Sequence, residues 1–154
     1  MASEVFTFIG IDPGASGAVA IQHTGLMHTM KLTGTEADVS EFIDRWARLG
    51  DCFAFLESVH SMPKQGVSSS FKFGASFGFL KGLLVGLKVP FELVTPQRWQ
   101  KAMGCMSGGN KNVTKQACQR LFPFEKVSHA TADAMLISEF CRRELAIRSH
   151  KESA

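Results

Sequence analysis

The chain has 154 residues, 45% of them apolar and 20% charged, a composition that predicts a folded unit with a real core and excludes a disordered or fibrous chain. Lys and Arg number 17 against 14 Asp and Glu, and the net charge of +3 permits an anionic partner without demanding one. The longest apolar region, residues 73–89, is broken by Ser76, four glycines and two lysines, so no membrane span is expected. The start carries no basic segment ahead of an apolar run, and no signal peptide is expected. Cys52, Cys105, Cys118 and Cys141 form no CxxC pair, which argues against a zinc site. Cys52 and Cys141 sit in apolar company like reduced core thiols, and an intracellular setting is expected, cytoplasm or organelle.

Residues 5–11 are β-branched and aromatic and read as a buried strand. Asp12 follows at its end. Pro13 lacks a ladder donor and Gly14 tolerates positive φ, so pairing is interrupted there. Gly17 has no side chain and lets a ligand approach the backbone closely. Asp12 is therefore either a turn cap or a functional carboxylate, since carboxylates are seldom buried without a partner or a metal. Residues 18–23 and 26–31, around the turn at Thr24-Gly25, complete an antiparallel meander of three strands. Thr35-x-x-Asp38 resembles a capping box. Val39, Phe42, Ile43, Trp46 and Leu49 then recur at helical spacing, predicting an amphipathic helix over 37–49 that Gly50 stops.

Residues 52–58 are a nearly continuous apolar run, as expected of a strand covered on both faces, with Glu57 near the end. A right-handed strand–helix–strand crossover lays this strand parallel to the first. Glu57 and Asp12 then share the carboxyl edge, where open α/β sheets bind ligands. Residues 59–72 read as a long polar connection, functional or merely solvated. In the helix predicted over 73–88, Gly74, Gly78, Gly82 and Gly86 recur every fourth residue. Each costs a helix roughly 1 kcal/mol against alanine. Either a seam between two copies or close docking on the chain's own sheet offsets that cost. Residues 89–94 form a fifth strand, and Thr95-Pro96 opens a short helix carrying Arg98, Trp99 and Lys101. A polar loop over 104–112 holds Lys111, a short helix over 113–121 holds Lys115, and Ser128 caps a last helix over 129–147. The reading is one domain over 1–148 with a frayed tail over 149–154.

Three acids stand at places this topology brings together: Asp12, Glu57 and, on the last helix, Asp133. His129 lies four residues before Asp133 and shares its helix face. Three converging carboxylates without basic partners in their motifs repel one another, and a hard divalent cation removes the conflict. Mg²⁺ prefers oxygen ligands and keeps several waters, so few carboxylates suffice. Two such ions bridged by a carboxylate hold a phosphodiester, activate water and stabilise the leaving 3′ oxygen. His129 is a fourth ligand, or a base near the attacking water.

The order Ile-Asp-Pro-Gly-x-Ser-Gly-Ala (from Ile11), Leu-Glu-Ser-Val (from Leu56) and His-Ala-Thr-Ala-Asp-Ala-Met-Leu-Ile (from His129) resembles the RuvC-like Holliday-junction resolvases of the ribonuclease H-like superfamily. Met62-Pro63-Lys64-Gln65-Gly66 through Phe77-Gly78 and Leu80 is similar to the phage and plastid-type branch. The resemblance covers roughly residues 5–145. It implies an α/β fold with a mixed five-stranded sheet, an antiparallel meander plus parallel strands, flanked by helices. It implies a homodimeric endonuclease that uses two Mg²⁺ ions per site, with Mn²⁺ able to substitute, and nicks a four-way DNA junction symmetrically. Asp12, Glu57 and Asp133 match the acids of that family. His129 stands where many members have another acid and some have histidine. The loop after Glu57 is implied to probe the junction core, and here it offers His60, Met62, Phe71 and Phe73. Lys64, Lys72, Arg98, Lys101, Lys111 and Lys115 are the phosphate-contact candidates. Two rivals remain. Sugar-kinase and actin-like ATPases share an Asp-x-Gly first turn but need two such domains. A non-cleaving junction-binding module on the same scaffold is the other, and retention of all three acids argues against it.

Overall fold

The computed structural model describes residues 5–58 and 66–154. In chain order the elements are β1 (Phe6–Asp12), β2 (Ala18–His23), β3 (Leu26–Lys31), α1 (Glu36–Ala47), β4 (Asp51–Glu57), α2 (Val67–Gly86), β5 (Phe91–Val94), α3 (Pro96–Ala102), α4 (Lys111–Leu121) and α5 (His129–Glu152). The strands form one sheet in the order β3-β2-β1-β4-β5. β1, β2 and β3 pair antiparallel, while β4 lies parallel to β1 and β5 parallel to β4. The meander follows from a tight turn in which Thr24 and Gly25 both take positive φ. The parallel half follows from the helical crossovers that join β3 to β4 and β4 to β5.

Alternation along the central strands builds two cores. Ile9, Ile11, Val19, Ile21, Ala54 and Leu56 point to one face and pack with Val39 and Ile43 of α1 and Leu80 and Leu84 of α2. Ala18, Ala20 and Phe55 point to the other, under Trp99 of α3, Cys118 of α4 and the long buried stripe of α5. A polar clamp secures α5 over β2. Buried Glu139 accepts from Gln22 Nε2 at 3.1 Å, and Arg142 and Arg143 pair with it at 2.7 and 2.8 Å. Those hydrogen bonds offset the cost of burying the carboxylate and hold its pKa below the ordinary value.

Gly10 sets how close α5 comes. A methyl group at this position would collide with the carbonyl oxygen of Ala134 and the amide nitrogen of Ser138. Helix backbone therefore lies directly on strand backbone, and its first turns reach the carboxyl edge of β1 and β4.

The structure departs from the sequence expectations mainly at helix ends. α2 begins at Val67, so Phe71 and Lys72 are helical rather than part of a long loop. The serine-rich start hides a first turn, where serine is tolerated and Gly66 takes the cap position. α4 begins at Lys111, capped by Asn110, whose side chain accepts from Asn112 N–H at 3.0 Å. β5 is shorter than expected, beginning at Phe91. α5 continues through Glu152, so the tail expected to fray from Ser149 is helical for most of its length. No helix among the described residues is long and apolar enough to cross a membrane.

Gly10→Ala tests the backbone contact. The neighbours are main-chain atoms that cannot rotate away, so the expected loss is about 3 kcal/mol, at the upper end of ordinary overpacking. Urea unfolding measures it.

Candidate active site

Each acid is placed by a different device. Ile11 and Leu56 are register partners in the parallel pair, so the next residues, Asp12 and Glu57, end side by side. Both fall on the α5 face, in phase with Gly10 and Phe55. Asp12 is closed into a tight turn: its Oδ1 accepts from Gly14 N–H at 3.3 Å, and Gly17 N–H donates to Gly14 carbonyl at 2.8 Å. A side chain at Gly17 would strike the carbonyl of Asp12, so the turn requires glycine there. Glu57 is pinned by α3. Thr95 caps that helix, Pro96 opens it, and one turn on the buried indole of Trp99 donates Nε1–H to Glu57 Oε2 at 2.6 Å. Asp133 descends from the first turns of α5, a helix fixed by a Ser128/Thr131 capping box.

These carboxylates are near enough to act on one another. Asp12 is 8% exposed and Glu57 7%. Burial first, and the Asp12 charge second, push Glu57 up to about 7, while the Trp99 hydrogen bond pulls the other way. Burial and then Asp133 raise Asp12, against the Gly14 amide and Lys111. Burial first, and Asp133 after it, also raise the thiols of Cys105 and Cys118, so those two groups are neutral. Among the described residues, Asp133 Oδ1 is a buried acceptor with no hydrogen-bond partner. Buried oxygens without partners are uncommon and ask for a missing donor or ion.

The donor set is carboxylate oxygen, which suits a hard divalent cation. Among the described residues no three His, Cys, Asp or Glu side chains are grouped closely enough to enclose an ion by themselves. Mg²⁺ asks for less, since one or two carboxylates with waters and substrate phosphate complete its shell. The unpartnered Asp133 oxygen and the mutual repulsion fit such an ion.

The other expected residues are distributed around this edge. His129 is exposed at the first position of α5. Lys111, exposed at the start of α4, is near enough to lower both Asp12 and Glu57. Lys72 and Phe73 line a groove of about 360 Å³ with Pro13, Ala15, Ser69 and Ser76, beside the Asp12 turn. Phe71 is 77% exposed. Lys101 and Lys115 lie on α3 and α4. Arg98 donates to Glu144 at 3.3 Å and lies over the rings of Phe140 and Phe55 at 5.4 and 5.8 Å. His60, Met62 and Lys64 lie outside the described residues. The residue that sequence reasoning missed is Trp99, assigned no role beyond its helix. Its indole N–H was the available signal, because a buried tryptophan needs an acceptor.

No protein-family model and no curated protein sequence matches the chain. Solved structures do. RuvC of Thermus thermophilus matches with a TM-score of 0.58 at 17% identity, over 86% of this chain and 90% of that one. T. thermophilus RuvC in complex with a Holliday junction substrate matches with a TM-score of 0.60 at 14% identity, over the same shares. The fold is RuvC-like. This agrees with the expected ribonuclease H-like mixed sheet flanked by helices.

The raised Glu57 value has a consequence for stability. Below about 4.5 the group is protonated folded and unfolded, and it costs nothing. As pH rises toward 7 the unfolded chain ionises first, and stability falls until the folded group ionises too. Glu57→Gln keeps an acceptor for Trp99 and removes the charge. Without divalent ions it is expected to be more stable than the parent above pH 7, by on the order of 3 kcal/mol. The gain should vanish below about 4.5. Urea unfolding on either side of this window measures it.

Proposed function

We propose that this protein is a divalent-metal-dependent endonuclease that resolves four-way or otherwise branched DNA junctions by paired phosphodiester hydrolysis. What supports the reading is the placement of Asp12 and Glu57 side by side at one edge of a RuvC-like sheet, with Asp133 near enough to raise both and keeping, among the described residues, a buried oxygen without a partner. The two fold neighbours add support, because one is T. thermophilus RuvC with a Holliday junction substrate. The phage or plastid-type branch is proposed on the Met62–Leu80 motif alone. Four free cysteines support a reducing intracellular compartment.

In this reading Asp12, Glu57 and Asp133 hold two Mg²⁺ ions, or Mn²⁺ in their place. When bound, the ions supply an activated water and stabilisation of the leaving 3′ oxygen. His129, exposed one turn before Asp133, orients the attacking water or takes its proton. Lys111 brings positive charge beside Asp12 and Glu57 and meets a phosphate entering the site. Lys72, Lys101 and Lys115 contact phosphates further out, and Phe71 and Phe73 stack against unpaired junction bases. Arg98 serves as a tie between α3 and α5.

Incubation of an immobile four-way junction with Mg²⁺ tests the reading. The parent should introduce paired nicks. Asp12→Asn should bind the junction and cut at least 10³-fold more slowly, an order-of-magnitude expectation for losing transition-state stabilisation at a charged centre. Binding without nicking by the parent would favour the non-cleaving module, and nucleotide hydrolysis without nicking would favour the ATPase rival.

Symmetric cleavage calls for two copies, and the glycine ridge of α2 is the proposed seam. A Cβ added at Gly74, Gly78, Gly82 or Gly86 meets no described atom within 4 Å, so these glycines are not there for docking on the chain's own sheet. Gly82→Leu is expected to leave the protomer folded, with its helix favoured by roughly 1 kcal/mol. It should abolish association in sedimentation velocity and reduce paired nicking. An unchanged dimer would reject the seam.

A further inference from the structure

Trp99 makes a contact that core packing alone does not require. Its side chain is fully buried among Phe55, Val94 and Met135 on the α5 side of the sheet. A phenylalanine would fill most of that volume. The indole instead directs its one polar atom at Glu57 Oε2, at 2.6 Å, the shortest of its kind at this edge. The geometry behind this contact is short and stiff. Glu57 pairs with Val94, Ser58 N–H donates to the Val94 carbonyl at 2.8 Å, Thr95 caps α3 and Pro96 opens it. Only residues 95–98 therefore separate the strand beside Glu57 from the residue whose indole holds it.

Indole N–H is a donor only, with no accepting atom and no accessible titration. It neither ligates a cation nor moves a proton. It restrains Oε2 and leaves Oε1 outside that hydrogen bond. We propose that Trp99 is a positioning residue: it holds the Glu57 carboxylate in one orientation and reserves Oε1 for a divalent ion and the phosphate beside it. This rests on the nuclease reading above and adds to it a residue that never touches substrate. Partners behind ligating groups typically change metal affinity or activity by roughly 10–100-fold when removed.

Trp99→Phe is the test, with calorimetric titration of Mn²⁺ and single-turnover nicking as readouts. The variant is expected to bind the junction as the parent does, to bind Mn²⁺ about tenfold more weakly, and to nick about tenfold more slowly. Parent-level Mn²⁺ affinity and rate in the folded variant would overturn the proposal. A parent that neither binds Mn²⁺ nor nicks removes the nuclease reading, and this proposal with it, before the variant is compared. A second measurement covers a variant that fails to fold. The parent has two tryptophans, and Trp46→Phe assigns their indole N–H resonances. The Trp99 resonance should lie downfield and move on titration with Mg²⁺. A Trp99 resonance unmoved while calorimetry records Mg²⁺ binding overturns the proposal equally.

Discussion

The site depends on a backbone-to-backbone contact between α5 and β1 at Gly10. Helices usually stand off from sheets by the length of the side chains between them. Here the strand contributes no side chain, and the carbonyl of Ala134 and the amide of Ser138 occupy the space. That approach brings Asp133, adjacent in sequence to Ala134, over the ends of β1 and β4. The small and buried residues Thr131, Ala132 and Ala134 around it keep the first turns of α5 close to the same surface. Without that closeness two acids would share an edge and the third would stand apart.

The gathered carboxylates work against folding. Asp12 and Glu57 are raised by burial and by their neighbours, and the identified opposing influences are the Gly14 amide, the Trp99 indole and Lys111. The fold tolerates this because stability is supplied elsewhere. Two apolar cores sandwich the sheet, and Glu139, the buried carboxylate away from the site, is fully supplied with Gln22, Arg142 and Arg143. The contrast between Glu139 and Asp133 on one helix is informative. One is satisfied and serves to lock α5 in place, while the other keeps an oxygen without a partner among the described residues. Trp46 Nε1 is also buried without a partner among the described residues, but only Asp133 lies near other acids, and a carboxylate left wanting there is where a ligand is expected to act.

Local chemistry was enough to read much of this architecture from the chain. The Thr35/Asp38 capping box and the Thr95-Pro96 helix start form as their residues dictate. β2 and β3 have the predicted ends. The start of α2 was hidden because Ser68-Ser69-Ser70 has turn-like composition in a helical first turn. The partners of Arg98 have no local signal in the chain. Glu144 and the rings of Phe140 and Phe55 come from segments more than forty residues away. The glycine ridge was ambiguous in sequence for the same reason, since spacing records that a face is flat but not what lies opposite.

The sequence by itself determined the elements, their handed crossovers and hence the meeting of Asp12 and Glu57 at one edge, because periodicity, caps and turn residues act over a few positions. Only the tertiary structure decided that Trp99 holds Glu57, that Lys111 lies near enough to lower both acids, that Arg98 bonds Glu144 and that no described atom faces the glycines of α2. Those facts depend on distances between segments remote in the chain, and pairing at such range leaves no local pattern to read.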